Sequence, residues 1–156
     1  MIAPEKIENL SCRMRDVFRF FNKLSEAELR VFLGFCENRQ VASGALWQEG
    51  DSDNYAAFIV SGKIGIKKQT EFAGKHMIVG TFSRGTVVGE LCLLTDERRS
   101  VSAMVLEPVD IVALSSEQFE RLMTQNPLLG LKLLRHIFLI LTHRLKRSTD
   151  RIAKIF

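Results

Sequence analysis

Eight of the ten glycines in this 156-residue chain fall between Gly44 and Gly89, in a stretch with sequence of helical period on either side. Glycine supplies the positive φ that tight turns need, so the concentration marks short strands joined by tight turns. Runs suited to strands fill the gaps and extend beyond them, at 39–42, 45–48, 55–61, 63–69, 75–82, 100–106 and 109–114. That spacing predicts an antiparallel, jelly-roll-like barrel over 39–114. With N-terminal helices over 1–38 and C-terminal helices over 115–156, the expected fold class is α+β, mainly β, in one domain spanning 1–156.

Local signals place the helices. Val17, Phe18, Phe20, Phe21 and Leu24 form one apolar stripe, and Ser25 with Glu28 has the spacing of a capping box for a second helix. Pro108 separates the last two expected strands, after which Ser115 and Gln118 cap a short helix running toward Thr124. Asn126 then suits an N-cap and Pro127 the first helical position, where its missing N–H costs nothing. The helix that follows meets no further proline, and roughly 29 residues would extend about 43 Å.

Along this helix Leu131, Leu134, Phe138, Leu141, Leu145, Ser148, Ile152 and Ile155 recur at alternating intervals of three and four. Such a heptad seam predicts a homodimer through the C-terminal helix, with Ser148 the one polar residue in it. The other reading is an amphipathic helix folded onto its own barrel.

The bulk properties bound the function. The N-terminus has no signal-peptide order and no apolar run approaches the roughly 18 residues of a membrane span, so a cytoplasmic protein with no membrane partner is expected. Cys12, Cys36 and Cys92 are odd in number and widely spaced, against a disulfide framework or a metal site. His76 alone lies among the strands, so no metal-dependent barrel enzyme is expected, and no other catalytic constellation is evident. The net charge of +4 is concentrated in the C-terminal helix, either a solvated face or a patch for an acidic partner or nucleic acid.

The chemistry concentrates between Gly89 and Ser102. Gly89 allows close backbone approach, Glu90 follows at once, and Arg99-Ser100 supplies a fork of donors and a hydroxyl. A 3′,5′-cyclic nucleotide needs that set. Arg99 suits its phosphate oxygens, Ser100 adds a hydroxyl or N–H, and Glu90 suits the ribose 2′-hydroxyl. Leu91 to Leu94 is long enough for one turn of helix whose free N–H groups would face the phosphate. The plainer alternative is a salt bridge between Glu90 and Arg99 across a loop. Cys92, within the same segment, is either a redox-sensitive thiol or a small buried hydrophobe.

Gly89-Glu90-Leu91 through Arg99-Ser100 resembles the phosphate-binding cassette of the cyclic nucleotide-binding domain family. The resemblance extends through Gly44, Glu49-Gly50-Asp51, the segment from Tyr55 to Gly62, Gly65 and Glu107-Pro108. Val101 stands where the family usually has alanine, and Val88 where it usually has an aromatic residue. The resemblance implies a non-enzymatic regulatory sensor that binds cAMP or cGMP, with no other cofactor, through Gly89, Glu90, Leu91, Cys92, Arg99, Ser100 and Val101. It also implies that Ser148 reaches the base in its own subunit and Thr149 the base held by the partner; the alternative leaves both solvated. The signal would pass to a downstream protein, DNA not being expected to bind this chain alone. Two other functions remain compatible with the sequence: a dimeric interaction module of the same fold that binds no nucleotide or another anion, and a fragment of a DNA-binding regulator.

Overall fold

A computed structural model describes residues 2–155, apart from the side chain of Pro4. Met1 and Phe156, which the expected domain also spans, lie outside the described residues. The chain opens with helix α1 (Pro4–Val17), a 3-10 turn (Arg19–Lys23) and helix α2 (Glu26–Gly34). The expected single stripe is therefore interrupted at Phe18, whose backbone is extended. The interruption turns Phe18, Phe20 and Phe21 all inward, where Phe18, Phe21 and Phe32 surround Phe58 at 5.5–5.9 Å between ring centres. The capping box forms as expected: Ser25 Oγ accepts from Glu28 N at 3.1 Å and Glu28 Oε2 from Ser25 N at 2.9 Å.

Six strands follow: β1 (Glu37–Val41), β2 (Ala45–Trp47), β3 (Tyr55–Gln69), β4 (His76–Ser83), β5 (Thr86–Val88) and β6 (Ser102–Ser115). The order is β1-β6-β3-β4, with β2 also on β6 and β5 also on β3, and every pairing is antiparallel. The sheet curls in jelly-roll fashion without closing, and helices flank it at both ends of the chain. Two pairs of expected strands are each one long strand, β3 across Gly62 and β6 across Pro108. The two breaks face each other: the register shifts between Ser61 and Lys63 opposite 107–110. Gly62 has φ +88°, and a Cβ there would overlap the Pro108 carbonyl, so glycine lets both strands continue past the irregularity.

Strand alternation divides the core. Ala56, Phe58 and Val60 of β3 face the helices, whereas Tyr55, Ala57 and Ile59 face Trp47, Ile64, Ile66 and Ile111 inside the curled sheet. The chain ends in α3 (Ser116–Gln125) and α4 (Pro127–Ala153), with Ser115 and Asn126 as the expected N-caps. Leu129, Leu133 and Ile137 fix the first half of α4 to the core. Apart from Leu134, which packs against the core, the heptad seam does not fold onto the described part of the chain. Leu131, Phe138, Leu141, Leu145, Ile152 and Ile155 are exposed, Phe138 and Leu145 at 69% and 70%, and Leu134 is half-buried. Among the described residues, no helix is long and apolar enough to cross a membrane.

Candidate ligand-binding site

A cavity of about 230 Å³ opens where the segment after β5 meets Trp47 of β2, Phe82 of β4 and Arg144 of α4. Gly89, Glu90, Leu91, Cys92, Arg99, Ser100 and Val101 all line it, so the structure brings together seven of the nine expected ligand-binding residues. Ser148 and Thr149 are exposed and outside its lining, and Thr149 Oγ1 donates to Leu145 O of its own helix at 3.0 Å.

Gly89 adopts φ +73°, and a Cβ on it would stand 2.6 Å from Arg99 Nη1 and 3.0 Å from Trp47 and from Tyr55 O. Glycine is required here for both backbone conformation and space. The expected helical turn is a 3-10 turn over Glu90–Leu93. Cys92 lies inside it, with Sγ 2.8 Å from Gly89 O. Burial pushes its thiol up to about 11 against the opposing charge of Arg99, so it stays protonated and behaves as a small hydrophobe rather than a redox-sensitive thiolate.

Arg99 is only 7% exposed. Its Nη2 donates to Tyr55 O at 2.8 Å and its Nε to Asp53 Oδ1 at 3.4 Å, and its guanidinium lies 3.9 Å from the Trp47 ring centre and 4.9 Å from that of Tyr55. Two backbone bonds and one from the Arg98 side chain tie the segment beneath it to the loop before β3: Gly50 N to Arg99 O, Arg99 N to Asp51 O, and Arg98 Nη1 to Gly50 O, at 2.8, 2.9 and 3.0 Å. Lys68 extends the tie, donating to Glu49 Oε1 and Ser100 O and holding the Glu49 carboxyl below the usual range. Arg99 is thus pre-positioned, and Nη1, directed at Gly89, makes no hydrogen bond among the described residues.

The simple Glu90–Arg99 salt bridge does not form. Glu90, 8% exposed, pairs instead with Arg144 Nη1 at 2.6 Å. Arg144 also donates to Val87 O, and its guanidinium lies 4.9 Å from the Phe82 ring centre. One side chain of the long helix therefore enters the cavity and holds its carboxylate. Sequence reasoning missed this residue, although one signal was present: Arg144 lies one helical turn before Ser148, on the same face of α4. Trp47, Ile66 and Phe82 were also missed as lining residues, since only the folded sheet brings β2, β3 and β4 to the cassette, and Arg98, inside the cassette, was missed as well. The chemistry available is anion binding with a flat apolar end: Arg98, Arg99 and Arg144 against Glu90 and Glu97, beside Ile66, Phe82 and Val88. Among the described residues, no group of three His, Cys, Asp or Glu side chains is placed to hold a metal ion.

Comparison with known proteins identifies the family and the fold that hold this cavity. The family model of the cyclic nucleotide-binding domain matches residues 41–126, more than half of the chain. The curated cyclic AMP receptor protein of Thermus thermophilus is 26% identical over 111 residues, covering 70% of this chain and 51% of that protein. The chain thus spans about half the length of that relative. Among solved structures, a cyclic nucleotide-binding domain from Methylobacillus flagellatus superposes with TM-score 0.82 at 24% identity, covering 94% of this chain and 85% of that one. The regulatory domain of Toxoplasma gondii PKA, solved with cAMP, superposes with TM-score 0.62 at 24% identity over 78% of this chain and 46% of that one. These two structural likenesses establish the fold.

Proposed function

Because this chain belongs to the cyclic nucleotide-binding domain family, we propose that the cavity at Gly89 binds a 3′,5′-cyclic nucleotide, cAMP foremost, and that the chain is a cytoplasmic, non-enzymatic, homodimeric sensor. The observation that carries the reading is the pairing of a buried, pre-positioned Arg99 with a Glu90 already engaged by the long helix. The phosphate meets Arg99 Nη1 and the N–H groups after Gly89, and the ribose 2′-hydroxyl donates to Glu90. To accept that bond, Glu90 shares or releases Arg144. Ligand entry therefore acts on α4 through a specific contact, which supplies the differential affinity that a conformational response requires. At about 230 Å³ the cavity is smaller than typical ligand pockets of roughly 300–1,000 Å³, and withdrawal of Arg144 enlarges it.

The outward seam of α4 supports the homodimer, since Phe138 and Leu145 are largely uncovered by the described residues. Pairing two copies along the seam would bring Ser148 and Thr149 into reach of the bases, Ser148 in its own subunit and Thr149 in its partner's. The domain passes its signal to a downstream protein through α4.

Trp47 is the sole tryptophan and lines the cavity, so its emission reports occupancy. Titration with cAMP and with cGMP is expected to give a saturable change in emission. A flat response to both would remove the reading. A second reading, an interaction module that binds no nucleotide, is favoured by one observation: Arg99 is already bonded to Tyr55 O and Asp53 in the described structure.

A further inference from the structure

A second concavity lies between the 3-10 turn after α1 and the first half of α4, and it shares no residue with the cavity at Gly89. Phe20, Lys23 and Leu24 form one wall. Lys132, Arg135, His136 and Leu139 form the other, at helical spacing i, i+3, i+4 and i+7. At its base the Phe20 and His136 rings stack face to face on each other, with centres 4.3 Å apart and planes within 7°. Among the described residues, no carboxylate lines it.

The charges are unequally engaged. Lys132 Nζ is held by Glu28 Oε1 at 2.5 Å, whereas Lys23 and Arg135 make no ion pair among the described residues. The imidazole does not add a third charge at neutral pH: burial, with Lys23 beside it, lowers His136 to about 4. Its Nε2 is buried without a hydrogen-bond partner among the described residues. The groove thus offers an aromatic base, the aliphatic Leu24 and Leu139, and two cations on opposite walls that make no ion pair among the described residues. A ligand that satisfies all three has one anionic end and one apolar body.

We propose that this groove binds a small aryl or short-chain acyl carboxylate, its body against the side of the Phe20–His136 pair and its carboxylate between Lys23 and Arg135. The planar guanidinium fork suits a carboxylate, and Leu24 and Leu139 enclose the apolar part. An uncharged analogue leaves both cations without a partner. Inorganic phosphate places nothing against the rings. Occupancy joins the turn to α4 and so fixes the attached half of that helix, independently of whether the cavity at Gly89 takes a nucleotide.

The probe is 3-phenylpropionate, titrated into the full chain and followed by the NMR signal of the His136 ring. The expected result is saturable binding with Kd below about 1 mM, weakened at least about tenfold by Lys23→Gln with Arg135→Gln and at least as much when 3-phenylpropan-1-ol replaces the acid. Inorganic phosphate is expected not to displace the probe. Absence of saturation, equal affinity for the alcohol, displacement by phosphate, or indifference to the double substitution would each overturn the assignment. Both substituted side chains are exposed. Should the double variant nevertheless melt early, the single Arg135→Lys, which keeps the charge and loses the fork, is expected to weaken binding measurably, and unchanged affinity there overturns the proposal equally.

Discussion

Glu90 and Arg144 stand 54 positions apart in the chain and 2.6 Å apart in space, one on the turn that forms the cavity and the other on the helix that leaves it. Arg144→Gln leaves a largely buried carboxylate without its counter-charge, and the expected cost is about 1–3 kcal/mol in urea unfolding. The double variant Glu90→Gln/Arg144→Gln is expected to recover part of that loss, because neither charge is then stranded. Equal stability of wild type and Arg144→Gln would show that the pair carries no weight.

Gly89→Ala combines a φ of +73° with contacts at 2.6–3.0 Å to Arg99, Trp47 and Tyr55. It is expected to lower stability by about 2–4 kcal/mol and to displace Arg99. Gly44→Ala, with φ +90° but open space around its Cβ, is the control and should cost about 1 kcal/mol. Thermal melts of the two variants separate steric from conformational cost.

The cassette was legible because its chemistry is local: seven of the nine expected residues are adjacent or nearly so, and they share one cavity. The helix caps at Ser25, Ser115 and Asn126 were legible for the same reason. Arg144 was not, since its role depends on how α4 is rotated against β4 and β5, which periodicity alone leaves open. Pro108 read as a break between strands because a proline removes one ladder donor. Its strand nevertheless continues, since the matching irregularity at Gly62 lies on the facing strand. Phe18 read as part of a continuous stripe, whereas an extended residue there turns its neighbours inward to Phe58.

The seam of α4 yields a prediction about assembly. Phe138→Glu and Leu145→Glu place charges on a face that is exposed in the single chain, so each should leave the fold intact by circular dichroism. Each is expected to convert a dimer to a monomer in light scattering, weakening association by at least about a hundredfold. A wild-type chain that is monomeric would contradict the dimeric sensor.

His136 makes stability depend on pH. Its folded-state value, about 4, lies below the ordinary 6.5, so the unfolded chain binds the proton more tightly. The stabilisation is therefore present above pH 6.5 and is lost as pH falls from 6.5 toward 4. Allowing for solvent screening at a half-buried ring, the loss is about 1–2 kcal/mol. Urea unfolding at neutral and acidic pH should show it in the wild type. His136→Phe should show less.

Calorimetric titration of cAMP into the wild type and Arg99→Ala tests the central claim most directly. The wild type is expected to bind with Kd in the micromolar range. Arg99→Ala is expected to weaken binding by at least about a hundredfold, since charge-assisted bonds to the phosphate are worth roughly 1.5–3 kcal/mol each. Micromolar affinity unaffected by the substitution would contradict the assignment of the site, and no heat with cAMP or cGMP at about 1 mM would contradict nucleotide binding itself.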